Sequence, residues 1–288
     1  MEKHLLLAVG DDMSSLHGVR FLCSFFEHKA SIQVTLCYIA SSFDPKDPRS
    51  QASSMSSTDK KTFAPPPVGH ESIDAGMDLL LSRGFKKDKV NAAYKDKKLG
   101  TVKDLVHEGQ RGMYDAVVLG RRGYAMFEQA FASSVSRQML EQNIDFPLWV
   151  CRQPEENRQH VLVCMDPSEP SMRIADHVGF MLEKETRHDI KLFYVDEGGA
   201  GNTRETLERG RQLLLKNGID DKRISTQIVR SSNVPDAILS EVERGAYSVV
   251  AMGRGGSPQK GLLKKWLIGS RSLKVFEELS KSVLWLSK

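Results

Sequence analysis

Three features of the carboxy-terminal half could hold an anion. Asp166 directly follows 161–165, a short apolar run of strand length. Gly253 and Gly256 follow a second such run, 247–252, where absent side chains would let backbone amides approach a phosphate. Gly269-Ser270 opens a helical pattern, whose unpaired N–H groups and positive dipole end suit the same charge. The Ser270 hydroxyl either donates to a phosphate oxygen or caps the helix. Arg254, Lys260, Lys264 and Lys265 bring positive charge nearby. Taken singly, each feature has a plainer explanation. Glycines after strands make turns, an Asp there turns or caps the chain, and a Lys-Lys pair covers a solvated helix face. Their order along the chain is what raises them above those explanations.

Other constellations fail on their own chemistry. Gly256-Ser257-Pro258-Gln259-Lys260-Gly261 has Walker-like spacing but continues with Leu262-Leu263 where Lys-Ser/Thr is required. Ser257-Pro258-Gln259-Lys260 matches Ser-x-x-Lys without the other motifs of a serine acylase. The eight histidines form no His-x-x-x-His pair, which argues against a metal site; His4 and His160, at equivalent strand edges, read as structural. Asp11-Asp12 could meet Mg²⁺ carried by a nucleotide, although a solvated turn fits the pair better. Cys23, Cys37, Cys151 and Cys164 form no Cys-x-x-Cys pair and read as free thiols of a reducing compartment.

The elements that would position these residues occur twice. Gly112-Met113-Tyr114-Asp115-Ala116-Val117-Val118-Leu119-Gly120-Arg121-Arg122-Gly123 returns as Gly245-Ala246-Tyr247-Ser248-Val249-Val250-Ala251-Met252-Gly253-Arg254-Gly255-Gly256, 133 residues later. Ser133-Ser134 and Pro147-Leu148-Trp149-Val150 match Gly269-Ser270 and Val283-Leu284-Trp285-Leu286 at offset 136, and His4 to Val9 match His160 to Met165 at offset 156. The first half is therefore longer by 23 residues before its glycine motif, and residues 41–67, rich in Ser and Pro, account for the excess as a mobile loop. Domains over 1–153 and 158–288 follow, joined near 153–158. In the second, strands over 161–165, 190–195, 223–229, 247–252 and 283–286 alternate with helices over 168–185, 203–216, 235–244 and 270–279. The first half reads likewise, with strands near 5–9, 32–39, 90–94, 116–119 and 148–151. Alternation of this kind predicts two doubly wound, five-stranded parallel α/β sheets of Rossmann-like type, with ligands at the carboxyl ends of the strands.

Composition narrows the function classes. Of 288 residues, 40% are hydrophobic and 27% charged, which excludes a disordered chain. Lys and Arg number 41 against 37 Asp and Glu, and a net charge of +4 argues against nucleic acid as partner. No apolar run approaches the 18 or so residues of a membrane span, and the amino terminus lacks a secretion signal, so a cytoplasmic, membrane-free protein is expected.

Met165-Asp166-Pro167-Ser168 after the first strand, Met252-Gly253-Arg254-Gly255-Gly256 after the fourth and Gly269-Ser270 before the last helix resemble the universal stress protein family. The resemblance spans the chain twice, as a tandem member, in the adenine-nucleotide-hydrolase-like fold. Family members with Gly-two residues-Gly-nine residues-Gly-Ser/Thr bind ATP, and members lacking it do not. The family usually pairs through its last strand, which implies an internal pseudo-dimer with Trp149 and Trp285 near the seam. The implied nucleotide site comprises Met165, Asp166, Pro167, Val195, Met252, Gly253, Arg254, Gly256, Gly269 and Ser270, with Asp166 on the ribose or base. ATP, AMP or ADP is the implied ligand, with Mg²⁺ left open and at most slow hydrolysis. Two departures stand out. The gap before Gly269 holds twelve residues, 257–268, so three extra residues either loop out near Ser257-Pro258-Gln259 or displace the phosphate cradle. In the first half Gly10 stands where the second has Asp166, and Ser133 where it has Gly269, while Gly120, Gly123 and Ser134 persist. That half is expected to hold a weakened site unless Asp11 or Asp12 substitutes. The competing reading is a nucleotide-free interaction module recruiting a protein partner through 41–67. An enzyme activating substrates through AMP is disfavoured, because neither half has the Ser-Gly-Gly-x-Asp-Ser type of loop. Further association of chains is left open.

Overall fold

A computed structural model of the protein describes residues 1–10, 13–40, 70–120, 144–153, 155, 157–198, 202–254, 274–275 and 277–288. The first half contributes β1 (Lys3–Val9), α1 (His17–Phe25), β2 (Ile32–Ala40), α2 (His70–Ser82), β3 (Val90–Asp96), α3 (Thr101–Arg111), β4 (Ala116–Gly120) and β5 (Leu148–Cys151). The second contributes β6 (His160–Met165), α4 (Glu169–Leu182), β7 (Ile190–Asp196), α5 (Thr203–Lys216), β8 (Ile224–Arg230), α6 (Val234–Arg244), β9 (Tyr247–Gly253) and β10 (Val283–Ser287). All ten strands join one sheet in the order β3-β2-β1-β4-β5-β10-β9-β6-β7-β8. Each half thus has the same internal strand order, and the α/β fold expected from the alternation is the fold observed.

Eight of the nine strand pairings are parallel. The exception joins the halves: β5 and β10 run antiparallel, with Trp285 opposite Trp149 and Leu284 opposite Val150. The two indoles stack with centroids 4.0 Å apart and planes 5° from parallel. Burial explains which runs sit where. β1, β4, β5 and β10 are almost continuously buried, as parallel strands covered on both faces must be. The outermost strands, β3 and β8, are buried only at their first residue and are otherwise largely open to solvent. Alternate residues of a strand feed opposite faces: Leu5 and Leu7 enter the cluster under α1, α2, α4 and α5, whereas Leu6 enters the one under α3 and α6. The first cluster crosses the seam through Trp149, Trp285, Phe21 and Phe25.

Local signals set the helix ends. Ser168, Asn202 and Asn233 accept hydrogen bonds from Ser171 N, Glu205 N and Asp236 N as amino-terminal caps of α4, α5 and α6. Asn217 closes α5, and Gly218 follows with φ of +82°, the left-handed conformation that a helix stop of this type requires. One boundary differs by three residues from its sequence expectation. Helical spacing runs to 185, but α4 ends at Leu182, because Glu185 turns away toward the other half. Its buried carboxylate accepts from Glu27 N at 2.8 Å and His28 N at 3.0 Å.

Candidate functional site

Strand order reverses beside β6, which pairs with β7 on one side and with β9 on the other. A crevice at such a switch point, beyond the carboxyl ends of the strands, is where open α/β sheets bind ligands. Asp166 lies there, exposed, one residue beyond β6. Its Oδ1 accepts from Ser168 N at 2.9 Å and also from Ser168 Oγ, and its own N–H donates to Ser171 Oγ at 2.9 Å. The same turn therefore holds the carboxylate and starts α4. Among the described residues, Oδ2 has no protein partner.

Gly253, the last residue of β9, is required by packing. A Cβ there would lie 2.6 Å from Ser171 N and 2.7 Å from the Pro170 carbonyl carbon, so the first turn of α4 rests directly on the glycine. Asp166 and Gly253, apart by 87 positions in sequence, thus meet at the amino end of one helix. Val195 is half-buried near the end of β7, and Pro167, next to Asp166, is exposed. Met165 and Met252 turn their side chains into the core, Met165 against Gly210 of α5, so only their main chain can reach the crevice.

Arg254, read from the sequence as positive charge near the site, is buried, and its Nη2 donates to Ile144 O at 2.7 Å, just ahead of β5. The guanidinium thus ties the second half to the first. Gly256, Gly269, Ser270, Lys260, Lys264, Lys265 and the lengthened stretch 257–268 lie outside the described residues. So do Asp11, Asp12, Gly123, Ser133, Ser134 and the loop 41–67. In the first half, Gly10 follows β1 as Asp166 follows β6, and Gly120 ends β4, buried. Ser15 Oγ donates to Gly10 O at 3.0 Å, from the position equivalent to Ser171. Among the described residues, a Cβ on Gly10 would meet only Ser15 Cβ, at 3.9 Å.

At the opposite, amino-terminal edge of the strands the structure reveals a paired polar network. Glu241, 3% exposed, accepts from Lys191 Nζ at 2.8 Å, Tyr247 Oη at 2.7 Å and Arg244 Nη2 at 2.8 Å. Burial works against its charge, but the hydrogen bonds from Lys191 and Tyr247 prevail and hold its carboxyl below the ordinary carboxylate range. The first half repeats the Glu–Tyr contact with Glu108 and Tyr114, and there Lys95, near the end of β3, pairs with Glu108. Burial pushes both tyrosines up to about 12. The rings of Tyr114 and Tyr247 lie over Gly112 and Gly245, where a Cβ would come within 2.0 and 2.1 Å of them. The repeated Gly-x-Tyr is therefore a structural anchor. Its missed signal was the pair Glu108 and Glu241, which share the 133-residue offset. His4, hydrogen-bonded to Thr35 Oγ1 at 2.9 Å and packed on Tyr114, belongs to the same scaffold, and burial holds its ring below the ordinary histidine range.

All four cysteines are free. No group of three or more His, Cys, Asp or Glu that could hold a metal occurs among the described residues, and none of the described helices is long and apolar enough to cross a membrane.

Comparison with known proteins agrees with this architecture. Residues 157–286 match the model of the universal stress protein family. Over that stretch the chain is similar to the universal stress protein family. A universal stress protein from Archaeoglobus fulgidus DSM 4304 is similar in fold, with a TM-score of 0.69 at 17% identity, over 99% of this chain and 96% of its own. A putative universal stress protein from Pseudomonas aeruginosa UCBPP-PA14 follows at 0.56 and 12%, over 100% and 93%. A functionally unknown protein from Pseudomonas aeruginosa PAO1 gives 0.55 and 12%, over 100% and 92%. At these identities the likeness concerns fold alone, and it covers both halves. No curated protein matches the chain.

Proposed function

We propose that the second half holds an adenine nucleotide (ATP, or AMP or ADP) in the crevice between β6 and β9. On this reading the chain is a regulatory stress-response protein of the cytoplasm, with two units over 1–153 and 158–288. The observation that supports it best is the exposed Asp166 carboxylate at the switch point, held through Oδ1 with Oδ2 left for a ribose hydroxyl or a base N–H. The main chain from Gly253 onward, with Gly256, Gly269 and Ser270, would line the phosphates, and Met165, Pro167, Val195 and Met252 the strand-end walls. Arg254 would contribute only its backbone. The first half, with Gly10 in place of the carboxylate, would bind weakly or not at all through Gly120, Gly123, Ser133 and Ser134. Mg²⁺ would arrive with the nucleotide.

The test begins with mass spectrometry of whatever is released on denaturing the purified protein; near-stoichiometric adenine nucleotide is expected. Asp166→Ala should weaken binding about tenfold or more, the loss of a hydrogen bond to a charged group. Unaltered affinity in both Asp166→Ala and a bulky replacement of Gly269 would remove the site, and two equal sites per chain would remove the asymmetry. A nucleotide-free scaffold is the second reading, favoured by the commitment of Arg254 to the seam. Absence of nucleotide both after purification and on titration would select it.

A further inference from the structure

The seam between the halves carries one titratable group in a position that protonation cannot share. His177 of α4 is buried, and its Nε2 lies 3.0 Å from Trp149 Nε1 of the other half. An indole nitrogen only donates, so Nε2 must accept and the ring proton must sit on Nδ1. A second proton would have to go on Nε2, where it would point at the Trp149 N–H. The ring also packs at 62° against both stacked indoles, with centroids 5.8 Å from each. The arrangement is one-sided. The residue equivalent to His177 in the first half is Phe21, and Trp285 Nε1 is buried with no hydrogen-bond partner. One side-chain hydrogen bond therefore serves the indole pair.

We propose that this joint is acid-responsive: protonating His177 breaks its bond to Trp149 and loosens the β5–β10 pairing, so that the seam opens ahead of the rest of the sheet. Burial alone holds the ring far below the ordinary histidine range, at about 3, and no charged side chain from α1, α4, β5 or β10 offsets this among the described residues. A histidine held neutral in the closed form takes up a proton on opening. Stability is lost as pH falls below the ordinary histidine value, and the loss continues until the folded value is reached. For one such proton the opening constant rises roughly 25-fold between pH 7 and pH 5. The other buried histidine of the seam, His188, does not share this geometry. Its Nε2 faces Phe25 O at 2.9 Å and its Nδ1 faces Gln159 O, so an added proton there would meet an acceptor. Around it stand Glu185, Arg187, His28 and Arg223, whose guanidinium bonds the His188 carbonyl.

Hydrogen exchange of the full chain tests the joint. Protection of the β5 and β10 amides is compared at pH 7 and pH 5, after correction for intrinsic exchange, in the parent and in His177→Gln, whose amide oxygen can accept from Trp149 without titrating. The parent should lose about 25-fold more protection at these two strands than the variant, while β2 and β7 change alike in both proteins. Equal losses in parent and variant overturn the proposal, as does a loss spread evenly over β2 and β7. Should His177→Gln not fold, His177→Phe, the residue found at position 21, takes its place with the same expectations.

Discussion

Asp166 and Gly10 occupy equivalent places with opposite chemical content. One carries an exposed carboxylate fixed by its own turn; the other has no side chain, and among the described residues only Ser15 Cβ comes within 4 Å of where one would start. Gly10→Ala should therefore change stability by less than about 0.5 kcal/mol. Gly253→Ala should cost about 2 kcal/mol or more, since its Cβ meets backbone of α4 that cannot swing aside. Urea-unfolding midpoints of the two variants check the contrast, and equal midpoints would mean that α4 does not rest on β9. At this scale the sequence revealed the glycines but not their reasons. Gly253 reads as a place for an anion, and it also carries the first turn of a helix, because an approach between residues 83 positions apart leaves no mark in local spacing.

Among the elements, α6 and β7 to β9 are tied together by the Glu241 network, with Lys191, Tyr247 and Gln227 supplied from three strands. Tyr247→Phe removes one hydrogen bond to a charged group and should cost about 1.5–3 kcal/mol. The depressed Glu241 carboxyl contributes stability that is present above the ordinary value of 4.5 and is lost as pH falls through its lower folded value. In Glu241→Gln that acid-dependent component should vanish from unfolding curves taken between pH 6 and pH 3; a slope unchanged from the parent would contradict the assignment. Most element boundaries were readable, since period and caps are local: α5 spans the 203–216 that its pattern predicts and is closed by Asn217. The end of α4 was not. Its helical pattern continues past Leu182, and only the first half, by offering Glu27 N and His28 N to Glu185, draws the chain away.

Over the whole molecule, the two halves are locked on one face of the sheet by Trp149 on Trp285 and by Glu185, Arg187 and His188 gripping the end of α1. Glu185→Ala would leave two backbone N–H groups at the seam without their acceptor and should destabilise the chain by about 2–4 kcal/mol. The thermal midpoint read by tryptophan fluorescence should fall accordingly, and a midpoint within a degree of the parent's would show that this grip is dispensable. Arg254 belongs to the same scale. Its place in the glycine motif suggests a ligand, whereas its guanidinium spans to Ile144 of the other half.

The sequence by itself determined the doubled α/β architecture, the strand and helix identities and the candidacy of Asp166, because hydrophobic period, caps and repeat offsets are properties of short stretches. The tertiary structure alone decided that Gly253 serves a helix, that Arg254 serves the seam, that Glu108 and Glu241 are paired anchors and that His177 holds an indole across the halves. Those outcomes depend on distances between residues remote in the chain, and packing rather than composition sets such distances.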